Sequence, residues 1–235
     1  MPLPRRRVPE IMDDPGLDAG RHRAALRGLA RLNAVSGVDQ GVWEAVAPMA
    51  RKVAATGRPV RLLDVAAGAG DMAVRLARRA AREGIELRIE ACDLSCVALG
   101  CARECGDQAR IGLVLHCLDV LKDPLPAGFD VATCGLFLHH LDPPDVERVL
   151  ASMSRAADAV VVQDLRRTRA GLALAWGVSR ALTRSVVVHT DAVRSVRAAY
   201  TLDEMRGMAA RAGLADARVT PIWPQRMVLV WERGS

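Results

Sequence analysis

Four groups of side chains in this 235-residue chain have types and spacing that can do chemistry. The segment Gly68-Ala-Gly70-Asp-Met-Ala73 satisfies the G-x-G-x-x-A pattern, in which bare backbone approaches a dinucleotide at a strand-to-helix turn. Asp64, Asp93 and Asp119 stand at or just beyond the ends of three successive apolar runs, where carboxylates can accept hydrogen bonds. His139-His140, and farther on His189 with Asp191 two residues later, offer imidazoles with an ordinary pKa of about 6.5, suited to accepting a proton. Six cysteines (Cys92, Cys96, Cys101, Cys105, Cys117 and Cys134) crowd the middle of the chain without paired C-x2-C spacing. They read as small buried hydrophobes, with a metal cluster of Cys92, Cys96 and Cys105 as the alternative, and no metal is expected.

The elements that must position these groups follow from the hydrophobic period. Leu26, Leu29 and Leu32, then Val42, Val46, Met49 and Val53, repeat at helical spacing, with Gly37 and Gly41 as breakers, which predicts two N-terminal helices. Short apolar runs at 60–65, 87–92, 111–117, 129–134 and 159–162 alternate with helical stretches at 72–82, 95–104 and 143–156, where Asp142 is the expected cap and Pro143-Pro144 the first turn. Strands alternating with helices imply a parallel sheet covered on both faces. Beyond them come an apolar helix at 172–182, a polar loop at 189–195, and a helix at 202–212. Two final runs, 217–222 and 227–231, have no helix between them and should pair antiparallel at one sheet edge. The fold class is therefore α/β, a Rossmann-like doubly wound sheet, mostly parallel with an antiparallel C-terminal strand, plus N-terminal helices. In such a sheet the ligand lies across the carboxyl ends of the strands where strand order reverses.

With the glycine turn, the three strand-end acids and the terminal strand pair taken together, the chain from about Val60 onward resembles the class I S-adenosylmethionine-dependent methyltransferases. Leu63-Asp64-Val65-Ala66-Ala67-Gly68-Ala69-Gly70 looks like that family's D-x-G-x-G-x-G turn, with Ala66 in place of the first glycine. The resemblance implies S-adenosyl-L-methionine as cofactor. Gly68 and Gly70 would admit it against bare backbone, Asp93 would accept two hydrogen bonds from the ribose diol, and Asp119 would pair with the adenine amino group. Leu94 and Val120 would sandwich the adenine, Asp64 would lie beneath the methionine end, and Ala66 and Cys134 would complete the wall. Arg31 and Asn33, near the end of the first helix, could reach the cofactor's carboxylate as part of a lid.

The stretch from Phe129 to Leu141 resembles the F-D-x-V-x-x-x-x-x-x-H-H-L segment of small-molecule methyltransferases, with Ala132 at the valine. The string Asp142-Pro-Pro-Asp145 only superficially matches the N/D-P-P-Y/F signature of enzymes that methylate exocyclic amines. It lies past the end of the fourth strand and lacks the aromatic residue. Segments 160–167 and 189–201 are similar to bacterial methyltransferases beside polyketide and quinone pathways, which implies O-methylation of a phenolic or polyketide-type hydroxyl. An imidazole would then accept the hydroxyl proton, and His140 and His189 are the first candidates, with His139 the third and Asp191 the partner that orients His189. The remaining alternatives are a dinucleotide-dependent oxidoreductase on the same glycine turn and a catalytically silent cofactor-binding protein.

Composition narrows the partners. At 3% aromatic residues a base-stacking nucleic-acid surface is not expected, and the formal charge of +6 comes from arginines spread along the chain. Only Lys52 and Lys122 are lysines. Arg5, Arg6 and Arg7 cluster in a Pro-flanked arm that reads as a frayed terminus, too short and too polar for a secretory signal. No apolar run reaches the roughly 18–20 residues of a membrane span, so a cytoplasmic protein is expected, as a monomer or homodimer acting on a small-molecule acceptor. Residues 1–56 are read as an N-terminal arm and helical lid, and residues 57–235 as the methyltransferase unit.

Overall fold

The structure is a computed structural model that describes residues 3–11, 16, 18, 20, 24, 28, 38–183 and 185–234. Helix α1 (Val38–Ala54) leads into strand β1 (Val60–Val65), helix α2 (Asp71–Arg82), β2 (Leu87–Asp93), α3 (Cys96–Ala109), β3 (Leu113–Cys117) and β4 (Phe129–Gly135). A short 3₁₀ turn (Leu138–His140) precedes α4 (Pro143–Ala156) and β5 (Ala157–Leu165), followed by α5 (Arg169–Leu182), α6 (Val186–Ala198), α7 (Leu202–Arg211), β6 (Arg218–Ile222) and β7 (Arg226–Glu232). The seven strands are ordered β3-β2-β1-β4-β5-β7-β6. Strands β1 to β5 are mutually parallel, and β7 runs antiparallel to both β5 and β6. Strand order therefore reverses between β1 and β4, which opens a crevice at their carboxyl ends.

The central strands are near-continuous apolar runs because both faces of the sheet are covered. Every residue of β4 up to Cys134 is buried. Against one face pack Val146, Val149, Leu150 and Met153 of α4 with Met205 and Met208 of α7; against the other pack Val42, Trp43, Val46 and Ala50 of α1 with Ala73 and Leu76 of α2. Burying a side chain the size of Leu150 contributes about 1.5–3 kcal/mol. Among the described residues no helix is long and apolar enough to cross a membrane.

Three local expectations are corrected. Gly41 does not break a helix: it lies inside α1, where a Cβ would stand 3.2 Å from Ile222 Cδ1, so it serves close packing. The polar loop expected at 189–195 is the body of α6. Asp142 has the extended backbone of a helix cap but makes no side-chain cap bond. Its carboxylate is taken by Arg7 at 2.7 Å and Arg5 at 3.5 Å.

Those two arginines also show that the N-terminal arm is not frayed. Arg5 donates to the carbonyl oxygens of Ala198 and Leu141, each at 2.7 Å, and its guanidinium lies 4.1 Å from the centre of the Tyr200 ring. Arg7 donates to His140 O, and Arg167 Nε donates to Leu3 O. Segment 3–11 thus lies across the turn after β4 and along α6.

Candidate active site

The crevice begins at the glycine turn. Ala66, Gly68 and Gly70 have φ of 54°, 55° and 71°, in the left-handed region where a side chain costs roughly 1–2 kcal/mol. The two glycines do different work. A Cβ at Gly70 would stand 2.9 Å from Ala102 Cβ, so its bareness lets α2 close on α3; a Cβ at Gly68 would meet nothing within 4 Å. Only Gly68 of the pair faces open space in the crevice.

Asp93, at the end of β2, is already aimed. Its Oδ2 accepts from Gly68 N and its Oδ1 from Ser95 N, both at 2.8 Å, which leaves further lone pairs on each oxygen. Leu94 beside it is 68% exposed. Leu118 N donates to Asp93 O, which carries Asp119 to the same edge. There Asp119 accepts from Leu121 N, and the hydrogen bond from Lys122 holds its carboxyl below the usual range. Val120 is half-buried against the core.

Asp64 lies under the turn, 2% exposed. Its Oδ1 accepts from the Thr133 hydroxyl at 2.8 Å, while the buried Oδ2 has no hydrogen-bond partner. Burial, reinforced by the charges of Asp71 and Asp93 and opposed by Thr133, pushes this carboxyl up to about 7. Asp71, the first residue of α2, is raised by burial as well. Its place next to Gly70 was a usable signal that the sequence reading passed over. Cys134, expected to bind cofactor, is instead a core residue 2% exposed, because β4 is covered on both faces. Arg31 and Asn33 lie outside the described residues.

At the neighbouring strand ends the histidines converge. Adjacent residues in a strand would point apart, but Leu138–His140 is 3₁₀ turn, where successive side chains are about 120° apart. The His139 and His140 ring centres are 4.3 Å apart, and their Nε2 atoms stand 3.6 and 3.9 Å from Oε1 of Glu10 on the N-terminal arm. Glu10 is buried and also accepts from the Ser195 hydroxyl. His139 Nδ1 lies 2.6 Å from Asp164 Oδ1, and His139 N donates to Asp164 Oδ2 at 3.0 Å. Burial alone would lower the His139 pKa, but the carboxylates of Asp164 and then Glu10 outweigh it and raise it to about 10. His139 is thus unsuited to accept a proton near neutral pH. His140 is the more open imidazole, its side chain 23% exposed.

The pairing of His189 with Asp191 is overturned. Two residues apart on a helix, their side chains face different directions. His189 Nε2 contacts Thr183 O at 2.7 Å, whereas buried Asp191 accepts from Ile11 N of the arm at 2.9 Å. Glu10, Asp164 and Gln163 were missed. The first lies in an aperiodic arm with no local signal, and Asp164 was visible only as the end of the fifth apolar run. Gln163 is 1% exposed with neither amide atom hydrogen-bonded, opposite Gly135 at the crevice edge.

Residues 62–159 match the family model of a methyltransferase domain. No curated protein matches the sequence. Among solved structures, a Nostoc punctiforme PCC 73102 protein classed as an O-methyltransferase is 17% identical, with a TM-score of 0.65, covering 90% of this chain and 61% of its own. The S-adenosylmethionine-dependent methyltransferase SibL is 22% identical with a TM-score of 0.65, covering 95% and 60%. The magnesium protoporphyrin IX methyltransferase of Synechocystis PCC 6803, with S-adenosylhomocysteine bound, is 17% identical with a TM-score of 0.57, covering 84% of each chain. The chain thus spans about 60% of the length of the first two structures. These likenesses establish the fold, and the stretch from β1 into β5, with the glycine turn at the strand reversal, is the part of the chain that is similar to a methyltransferase domain.

Proposed function

We propose that the protein transfers a methyl group from S-adenosylmethionine to an oxygen of a small hydroxylated molecule of phenolic or polyketide type. The observation that carries this reading is the sharing of one crevice by two unlike halves. The ends of β1, β2 and β3 present bare backbone, acids and an exposed leucine; the ends of β4 and β5 present two histidines backed by Glu10 and Asp164.

The residues fit the cofactor on two counts: the open space at Gly68 and the unpartnered buried oxygen of Asp64, which favours a cationic neighbour. Gly68 and Ala66 would flank the methionine moiety, Asp93 would hold the ribose diol, and Asp119 the adenine amine, with Leu94 and Val120 on the ring faces. When bound, the cofactor supplies a methyl group already activated on a sulfonium. What remains for the chain is to hold the acceptor oxygen in line, an effect that can reach about 7–11 kcal/mol. The hydroxyl would sit against His140, where the histidine cluster lowers the cost of losing its proton. In this reading the arm within residues 1–56 closes the acceptor end.

The test is calorimetric titration with S-adenosylhomocysteine, followed by mass spectrometry of S-adenosylmethionine incubations with a panel of phenols. Binding that is lost in Asp93→Ala, together with a mass gain of one methyl on an acceptor, is the expected result. Absence of binding by the folded wild type, or preferential binding of a nicotinamide dinucleotide, would overturn the reading.

A further inference from the structure

The junction of Glu10, His139 and His140 raises a question of charge. One ligand atom from each of the three lies within 4.8 Å of the others, with both Nε2 atoms near Oε1 of Glu10, and Asp164 fixes which nitrogen of His139 carries hydrogen. With Nδ1–H donated to that carboxylate, Nε2 of His139 faces Oε1 of Glu10 at 3.6 Å, and what lies between them is either a second ring proton, which makes His139 an imidazolium, or a metal ion. Two acceptors do not face each other across such a gap unless something positive lies between them. An N–H···O bond spans about 2.7–3.2 Å, shorter than either the 3.6 or the 3.9 Å separation here. Two metal–ligand bonds of about 2.0–2.2 Å span about 3.0 Å at a right angle and about 3.6 Å at 120°.

We infer that Glu10, His139 and His140 form a binding site for one divalent transition-metal ion of the zinc, iron(II), cobalt(II) or manganese(II) class. Two imidazoles and one carboxylate suit these ions, whereas magnesium and calcium favour oxygen donors. The contact from His139 Nδ1 to Asp164 is the carboxylate–histidine support that metal-bound imidazoles almost always have. Glu10 and His139 are buried, while His140 is partly exposed, which leaves the ion a side open to solvent. The ion would also fasten the N-terminal arm to the turn after β4. Its catalytic use rests on the function proposed above, since a cation there would help hold the acceptor oxygen deprotonated. Binding of the ion does not depend on that function.

The experiment uses untagged full-length protein stripped with a chelator and titrated calorimetrically with zinc chloride and manganese(II) sulfate. A parallel cobalt(II) titration is read by visible absorption. One ion per chain is expected, with affinity weakened at least tenfold in Glu10→Gln and in His140→Ala. The cobalt spectrum should show no thiolate charge-transfer band. S-adenosylhomocysteine affinity, measured on the same samples, reports separately on the proposed function. Absence of stoichiometric binding would mean that a proton occupies the junction as a Glu10–His139 ion pair. Undiminished binding in both variants, or a thiolate band placing the ion on Cys96 and Cys117, whose sulfurs are 3.2 Å apart, would equally overturn the inference.

Discussion

Cofactor affinity should depend on pH through Asp64. In the free protein its buried carboxyl titrates at about 7, so at neutral pH half the molecules carry the proton. A ligand that places positive charge near the unpartnered Oδ2 favours the carboxylate and draws its pKa back toward the ordinary value of about 3.9. Affinity then rises with pH, about tenfold per unit well below 7 and levelling above it. Between pH 6 and pH 8 the gain is about tenfold, or roughly 1.4 kcal/mol. Calorimetry in two buffers of different ionisation heat should find about half a proton released per S-adenosylmethionine bound at pH 7, and less with S-adenosylhomocysteine, whose sulfur is uncharged. Stability of the free protein runs the opposite way. A carboxyl whose folded pKa lies above its unfolded value stabilises the fold at low pH, and that contribution is lost as pH rises from about 4 to about 7. The loss is roughly 4 kcal/mol for three units. Asp64→Asn should therefore melt higher than the wild type at pH 8 while binding cofactor more weakly and without the pH slope. Equal affinity at pH 6 and pH 8, or an unchanged slope in Asp64→Asn, would refute the reasoning.

The two glycines of the turn should separate in mutagenesis. Gly70→Ala forces a Cβ to 2.9 Å from Ala102 and should lower the urea-unfolding free energy by about 1–3 kcal/mol, whereas Gly68→Val should remain folded and lose S-adenosylhomocysteine binding in calorimetry. Ala66→Gly should relieve left-handed strain and raise that unfolding free energy by up to about 1 kcal/mol. His140→Asn should depress kcat by about 10²–10⁴ with cofactor affinity retained. His189→Asn should leave kcat near normal and lower the melting temperature, because its ring ties α6 to Thr183 O. A kinetic loss in the second and not the first would return His189 to the site.

The sheet and the edge of the crevice at β1, β2 and β3 were legible because their signals are local. Each of Asp64, Asp93 and Asp119 sits within two residues of the end of the apolar run that positions it, so order along the chain carries over to order along the crevice edge. The misread elements share a physical cause. Helix α6 looked like a polar loop because Asp191 and Ser195, one turn apart, point inward, Asp191 accepting from Ile11 N and Ser195 donating to Glu10. A buried stripe that starts at Val187 and Val188 and is interrupted by Asp191 and Ser195 shows only a broken apolar period, and nothing nearby in sequence announces the partners that make the polar positions affordable.

The histidine end of the crevice was illegible for the complementary reason. Arg5 and Arg7 look like a solvated basic tip until the carbonyls of Leu141, Ala198 and His140 are brought beneath them. Glu10 is unremarkable until the same arm delivers it to two imidazoles more than a hundred residues away. The sequence did show that a histidine needed a carboxylate, but it matched His189 with the nearest one along the chain. In space the carboxylate belongs to Asp164, 25 residues from His139 and on the adjacent strand. A strand crossover brings such a pair together, and its register of Gly135 against Gln163 puts Asp164 one residue past the last paired position. The chemistry of this end is set by topology, so a substitution that loosened the arm, such as Arg5→Ala, should disturb the Glu10 cluster while leaving Asp93 and the glycine turn untouched. The expected signature is loss of methyl transfer with S-adenosylhomocysteine affinity intact, and equal loss of both would show that the arm supports the whole crevice.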